Sequence, residues 1–204
     1  MGKEEGSDRD AIMKKMRGET YLEKSAKTVQ QMKNDPVYNS EYGVRAIGKN
    51  GGYVAVTADR KTEPLVDANG ELTNFGKEIF ASEAMARDGW RIILKNDYAS
   101  AEKGSMPDGT ANMNIYEIKS PSPEKSTSRR MNRLEANINN TLKKAWKDGK
   151  TEIVTLYMGE NTVGQIHREH IHKAIQLFND NNKHRYKHIV VVDVKGNTYY
   201  WNHN

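Results

Sequence analysis

MPDGTANMNIYEIKSP, residues 106–121, is the segment around which the other elements of this chain are arranged. It opens with the turn signal Pro107-Asp108-Gly109, and residues 114–119 then form a short run rich in isoleucine and tyrosine, which is typical of a strand. Because side chains alternate along a strand, Glu117 and Lys119 share one face of the predicted sheet. An acid and an amine on one sheet face are costly to bury unless they pair or take part in chemistry. The segment therefore predicts a central strand that carries a charged pair.

The spacing of the charged residues in this segment matches one known nuclease pattern. Pro107-Asp108, eight further residues and then Glu117-Ile118-Lys119 resemble the PD-(D/E)xK pattern of metal-dependent nucleases. That resemblance implies Asp108 and Glu117 as Mg²⁺ ligands and Lys119 as the group that orients the attacking water. A helical acid, Glu78 or Glu83, would complete the site. Eight residues barely leave room for a strand, a turn and a second strand, and this short spacing counts against the interpretation.

The longer run from Pro107 to Pro121 resembles a second, narrower family. It is similar to the barnase–EndoU–colicin–RelE-like nucleases at the C-termini of bacterial contact-dependent inhibition toxins and of some phage or mobile-element proteins. There the strand is followed by a basic segment, a helix, a strand, a second helix and a final strand pair, and this sequence follows the same order. The resemblance implies a toxin-type endoribonuclease that cleaves RNA, most often tRNA, by attack of the ribose 2′-hydroxyl, with no metal or other cofactor.

The alternation of helical and strand periods along the chain predicts an α+β fold. We expect a mainly antiparallel four- to five-stranded sheet packed by helices, with an N-terminal helix and a β-hairpin as an extension. Residues 1–72 would form this extension and residues 73–204 the nuclease-like domain. The helices are predicted at residues 9–33, 75–87, 129–146 and 163–180. The strands are predicted at residues 43–47 and 53–57 for the hairpin, and at 90–95, 114–119, 151–158, 189–194 and 198–201 for the sheet.

The composition favours an anionic partner only mildly. Lysine and arginine exceed aspartate and glutamate by five, and the pI of the sequence is about 9.2, an excess that many soluble domains carry without binding nucleic acid. The absence of cysteine excludes disulfides and thiolate metal sites. No apolar run approaches membrane-spanning length, so we predict no membrane contact.

The candidate catalytic residues lie on two predicted strands. A metal-free ribonuclease needs a general base, a general acid and cations that stabilise the charge on phosphorus. Glu117 or Asp108 is a candidate base, and Lys119 is a candidate for charge stabilisation or for the acid. Thr155 and Tyr157, on the strand after the next helix, are candidate hydroxyl groups if their face of the sheet is open.

Three arginines stand where the strand, the following loop and the next helix converge. Arg129, Arg130 and Arg133 are predicted to clamp phosphate groups at the start of that helix. The second helix of this half carries His167, His170 and His172. A metal site is disfavoured there because His170 and His172 lie on different sides of a helix, and solvent-facing histidines are the preferred interpretation.

A non-enzymatic interpretation stays open beside the two nuclease mechanisms. The chain would then be a basic module that binds nucleic acid or a protein, and Glu117 and Lys119 would form an ordinary ion pair. If the chain is a toxin, its partners are RNA, tRNA above all, and a cognate immunity protein. It would act in the cytoplasm of the producing or the target bacterial cell, either secreted or delivered as part of a larger protein.

Overall fold

The computed structural model describes the chain in nine stretches and divides it into two compact units, Met1–Asn114 and Ile115–Asn204. The described stretches are residues 43–47, 51–57, 60, 62–95, 107–121, 130–146, 150–159, 165–181 and 185–202. The helix predicted at residues 9–33 lies outside them. The predicted division of the chain between residues 72 and 73 stays a prediction.

The first unit contains four described strands, which form a mixed arrangement. These are β1 (Gly43–Ile47), β2 (Tyr53–Val56), β3 (Arg91–Leu94) and β4 (Gly109–Ala111). β1 and β2 pair antiparallel, as the hairpin pattern predicted. β2 then pairs parallel with β3, and β3 pairs antiparallel with β4.

Helix α1 (Asn74–Arg87) packs against the first three of these strands. The hydroxyl of Thr73 accepts a hydrogen bond of 2.9 Å from the backbone N–H of Gly76, which caps the start of the helix. Gly76 is required for a close approach, because a Cβ atom there would lie 1.9 Å from the carbonyl oxygen of Leu65. Just past the last turn, Gly89 has a φ of 97°, a conformation that favours glycine and ends the helix.

The second unit contains four described strands that alternate with two helices. The strands are β5 (Asn114–Lys119), β6 (Ile153–Tyr157), β7 (His188–Val192) and β8 (Thr198–Asn202), and the helices are α2 (Arg130–Ala145) and α3 (Gln165–Asn181). β5 pairs parallel with β6, and β6 pairs parallel with β7. The final pair, β7 and β8, is antiparallel. The helices α2 and α3 therefore connect parallel strands and run back across the sheet.

The predicted mainly antiparallel sheet of four to five strands is wrong. The strands of each unit form a mixed sheet, and four strands are described in each unit. The physical reason is the length of the connections. A helix of 16 residues follows β5, and a helix of 17 residues follows β6. Each helix carries the chain back to the end of the sheet where the next parallel strand starts.

The core of the second unit lies between the two helices and one face of its sheet. The apolar side chains of α2 at helical spacing, Leu134, Ile138, Leu142 and Ala145, are all buried in this core. From β6, the side chains on the helix face are Val154 and Leu156. The side chains of the opposite face, among them Ile153 and Thr155, are fully buried as well.

Candidate active site

The charged pair predicted on the central strand is present at the end of β5. The ammonium group of Lys119 forms an ion pair with Oε1 of Glu117. The side chain of Glu117 is fully buried, whereas that of Lys119 is 36% exposed. Their common face is the one covered by the helices, because Glu117 pairs in register with Val154 and Lys119 with Leu156. The pair thus reaches from the core to the surface at the carboxyl end of a parallel strand.

Tyr186 shows how the charge of Glu117 acts within this core. Burial, and secondarily the negative charge of Glu117, raise the pKa of the Tyr186 phenol well above its usual range. The phenol therefore stays protonated and donates a 2.6 Å hydrogen bond to the carbonyl oxygen of Leu142 on α2. Its ring packs against Phe178 and Trp146. Glu117 is thus a charge inside a well-packed aromatic core.

The two predicted hydroxyl groups lie on the other face of the sheet. Thr155 pairs in register with Ile118, so it and Tyr157 face away from the side that carries Glu117. The hydroxyl of Thr155 accepts a 3.1 Å hydrogen bond from the phenol of Tyr116, and both residues are fully buried. The side chain of Tyr157 is buried too. The structure therefore does not bring Thr155 and Tyr157 together with the charged pair.

Asp108 belongs to the first unit, where it directly precedes β4. It is buried, and its backbone carbonyl accepts a 2.9 Å hydrogen bond from the N–H of Lys95. Asn112 and Met113 follow β4 with φ angles of 47° and 68° and form a tight turn before β5. The eight residues between Asp108 and Glu117 therefore do contain a strand, a turn and the start of a second strand. The spacing that counted against the metal-dependent pattern is therefore long enough to hold these elements.

The two helical acids considered for a metal site both lie on α1 in the first unit. Glu78 forms a 2.8 Å ion pair with the guanidinium group of Arg60, which also stacks over the ring of Phe75. Glu83 is fully buried. Within the described stretches, no group of three or more histidine, cysteine, aspartate or glutamate side chains is arranged to hold a metal ion.

The predicted phosphate-binding arginines stand at the start of α2. Arg130 is the first residue of this helix and Arg133 lies in its first turn, whereas Arg129 falls outside the described residues. The first turn of α2 carries no acidic residue. Since α2 connects parallel strands, its start lies at the end of the sheet where β5 finishes with Lys119.

The histidines of α3 have partners that the sequence did not reveal. Nδ1 of His170 lies 2.5 Å from Oε1 of Glu135 on α2, and the ammonium group of Lys173 lies 3.7 Å from the same oxygen. His172 is exposed, and its Nδ1 accepts a 2.9 Å hydrogen bond from the indole N–H of Trp201. Glu135 was not a predicted site residue. The available signal was its position beside Leu134, at the edge of the apolar stripe of α2.

Comparison with known proteins adds one distant likeness. No protein-family profile matches the chain, and no curated protein matches it. A solved structure, the CdiA-CT/CdiI toxin and immunity complex from Burkholderia pseudomallei, aligns with 70% of this chain and 94% of its own, at 14% identity and a TM-score of 0.41. At this identity and TM-score, the likeness establishes neither the fold nor the activity of this protein. No described helix is long and apolar enough to cross a membrane.

Proposed function

We propose that this chain is a toxin-type nuclease that cleaves RNA, tRNA above all, and that the Glu117–Lys119 pair is the centre of its site. The observation that carries the proposal is a fully buried carboxylate paired with a partly exposed lysine at the carboxyl end of a parallel strand. Removing such a carboxylate from water costs several kcal/mol, and apolar residues of similar size often give equal or greater stability. Ligands of open α/β sheets bind outside the carboxyl ends of the strands, which is where Lys119 emerges.

The chemistry assigned to Lys119 is stabilisation of negative charge. Cleavage of a phosphodiester builds charge on the oxygens around phosphorus, and a fixed ammonium group in a partly water-excluded site lowers the energy of that state. Glu117 holds the ammonium group in place, because its carboxylate forms an ion pair with Nζ. Arg130 and Arg133, at the start of α2, supply further positive charge for the flanking phosphates.

A second mechanism is favoured by one specific observation, the complete strand, turn and strand between Asp108 and Lys119. In this mechanism Glu117 would supply a carboxylate oxygen to Mg²⁺, a ligand that this ion prefers, and Lys119 would orient the attacking water. When bound, Mg²⁺ would polarise the scissile phosphate. The sequence resemblance implies Asp108 as a further ligand, and Asp108→Asn tests that implication.

The ends of the cleaved strands distinguish these mechanisms. Purified chain is incubated with tRNA and with duplex DNA, in EDTA and in Mg²⁺, and the products are analysed by mass spectrometry. We expect cleavage of RNA in EDTA that leaves 2′,3′-cyclic phosphate ends. Cleavage only with Mg²⁺, with 5′-phosphate ends, would select the metal-dependent mechanism. A well-folded protein that cleaves neither tRNA nor DNA would contradict both nuclease mechanisms and would favour the non-enzymatic binding module.

The proposed biology follows from the nuclease activity and the sequence resemblance. A ribonuclease that attacks tRNA must be neutralised in the cell that makes it, so we propose a cognate immunity protein as its partner. Delivery into a target bacterial cell as part of a larger protein would bring the domain to its substrate in the cytoplasm. Co-expression tests this proposal, because toxicity of the chain should disappear when the cognate protein is supplied and persist with an unrelated one.

A further inference from the structure

The proposed reaction lacks an accessible base among the predicted residues. Glu117 is fully buried and one of its oxygens already pairs with Lys119, so a ribose hydroxyl cannot reach it in this arrangement. Asp108, the other candidate base, is also buried. Thr155 and Tyr157 face the other side of the sheet. A general base has to come within hydrogen-bond distance of the proton that it removes. The residue that meets this need should therefore lie on another element at the carboxyl end of the strands.

Helices α2 and α3 carry such a residue, and its partner, at equal distances from their first residues. Both helices connect parallel strands, so both begin at the carboxyl ends of β5 and β6. Glu135 and His170 are each the sixth residue of their helix, about 7.5 Å from its start at 1.5 Å per residue. They meet across the helix interface, with Nδ1 of His170 2.5 Å from Oε1 of Glu135.

The contact determines which ring nitrogen of His170 is basic. A carboxylate only accepts hydrogen bonds, so the hydrogen of the ring resides on Nδ1, and the neutral imidazole then has its lone pair on Nε2. The side chain of His170 is 25% exposed and that of Glu135 is 14% exposed, so the ring reaches solvent while the carboxylate lies deeper. Lys173, one turn further along α3, also approaches Glu135.

We infer that His170, oriented by Glu135, is the general base of the proposed RNA cleavage. As the ribose 2′-oxygen forms its bond to phosphorus, its proton moves to Nε2, and Glu135 stabilises the resulting imidazolium. The bond from phosphorus to the 5′-oxygen breaks with its electron pair on that oxygen, which takes a proton from water. The imidazolium then returns its proton to the hydroxide. The products are a 2′,3′-cyclic phosphate and a 5′-hydroxyl.

This inference rests on the proposed function, and the pH dependence of cleavage tests it separately. The turnover number for a short RNA is measured against pH for the wild type, His170→Gln, Glu135→Gln and His172→Gln. His172 is the matched control, an exposed histidine on the same helix that contacts Trp201 instead of α2. Thermal unfolding of each variant gives its stability, and the RNA is assayed at a temperature where all four are folded.

We expect His170→Gln to lower kcat by about a hundredfold or more with little change in KM, the usual loss when a general base is removed. The fall in rate towards acid pH should disappear in this variant, because that fall reports protonation of the base. Glu135→Gln should lower kcat with little change in KM, since the imidazolium loses its counter-charge. His172→Gln should follow the wild-type profile.

Two results would overturn the inference in different ways. If His170→Gln changes only the melting temperature and keeps the wild-type rate and pH profile, the contact is an interhelical link and the base lies elsewhere, while the ribonuclease proposal stands. If the folded wild type cleaves no RNA at all, the proposed function fails and this inference fails with it.

Discussion

At the scale of single residues, the informative feature is a charge that the fold keeps inside. Glu117 is fully buried on the helix-covered face of the sheet. Its pairing with Lys119 offsets part of the loss of hydration. Tyr186 responds to this charge, since Glu117 contributes to the raised pKa of its phenol. A buried carboxylate costs the fold several kcal/mol of desolvation, and this cost favours a functional role for Glu117.

We predict that Lys119→Ala abolishes RNA cleavage, because the variant loses the cation that stabilises the transition state. The substitution also leaves Glu117 buried without this partner. The resulting loss of stability should be smaller than the ~3–5 kcal/mol of a fully buried pair, because Lys119 is partly exposed. The double variant Glu117→Gln, Lys119→Met removes both charges at similar volume and should be folded and inactive. Lys143→Ala, an exposed lysine near the end of α2, serves as the control.

The double variant separates catalysis from folding. Circular dichroism and urea unfolding report its stability, and gel analysis of tRNA reports its activity. Cleavage at the wild-type rate by a folded double variant would remove the pair from the mechanism.

A second residue-scale prediction concerns Glu152 and acid stability. The ammonium group of Lys187, 2.6 Å from Oε1 of Glu152, lowers the pKa of this carboxyl most. The backbone N–H of Ile115, which donates to Oε2 at 2.9 Å, lowers the pKa further. The pKa of Glu152 is lower in the folded state than in the unfolded state. Its contribution to the stability of the fold is therefore present at neutral pH and is lost as the pH falls through the folded-state pKa. Glu152→Gln should therefore cost about 0.2–1 kcal/mol at pH 7, the range of surface pairs, and little in strong acid.

Urea unfolding at neutral and acid pH measures this difference. Glu169→Gln on α3 is a suitable control because its side chain is exposed. Equal losses of stability by Glu152→Gln at both pH values would show that the pair is not responsible.

At the scale of elements, helix α2 combines a core-facing stripe with a basic start. Leu134, Ile138 and Leu142 recur at helical spacing and are all buried. The polar positions of the same helix include Glu135, which bonds to α3. Arg130 and Arg133 stand in its first turn. One helix thus ties the core to the proposed site.

Truncation in the middle of the stripe should be strongly destabilising. Ile138→Ala removes a fully buried side chain from between the helices and the sheet, and the transfer and cavity terms together cost about 2–5 kcal/mol. Asn140→Ala, at an exposed position of the same helix, should change stability by less than about 0.5 kcal/mol. A denaturation midpoint of Ile138→Ala equal to that of the wild type would show that the stripe is not a core.

The basic start of α2 should contribute to RNA affinity through phosphate contacts. Replacing Arg130 and Arg133 by alanine should weaken binding of an inactive variant and reduce the slope of log K against log salt by about 1 for each lost contact. The same replacements at Lys143 and Lys144, in the last turn of this helix, should leave the slope unchanged. Fluorescence anisotropy over a salt series measures the affinity and its salt dependence. Identical slopes for the two double variants would exclude the start of α2 as a phosphate-binding site.

At the scale of the whole molecule, the parallel strands decide where chemistry is available. In the second unit β5, β6 and β7 point the same way, so both helices begin at the end where Lys119 emerges. A mainly antiparallel sheet would have sent successive connections to opposite ends. The parallel arrangement is what lets Lys119, the start of α2 and the His170–Glu135 contact belong to one end of this unit.

Several elements were predictable from local sequence because local physics specifies them. Thr73 caps α1, the stripe of α2 has a helical period, and Ile189 to Val192 form the β-branched run of a strand. Even the pairing of Glu117 with Lys119 follows from the alternation of side chains along one strand.

Strand direction and the composition of each face depended on the tertiary structure. The sequence determined that Thr155 and Tyr157 share a face, but only the register of β6 against β5 decided that this face is not the one with Glu117. Likewise, Glu135 and His170 lie 35 positions apart, and no local pattern links them. Alternation and helical period act within an element, whereas register and helix contact arise from burying several elements against one another.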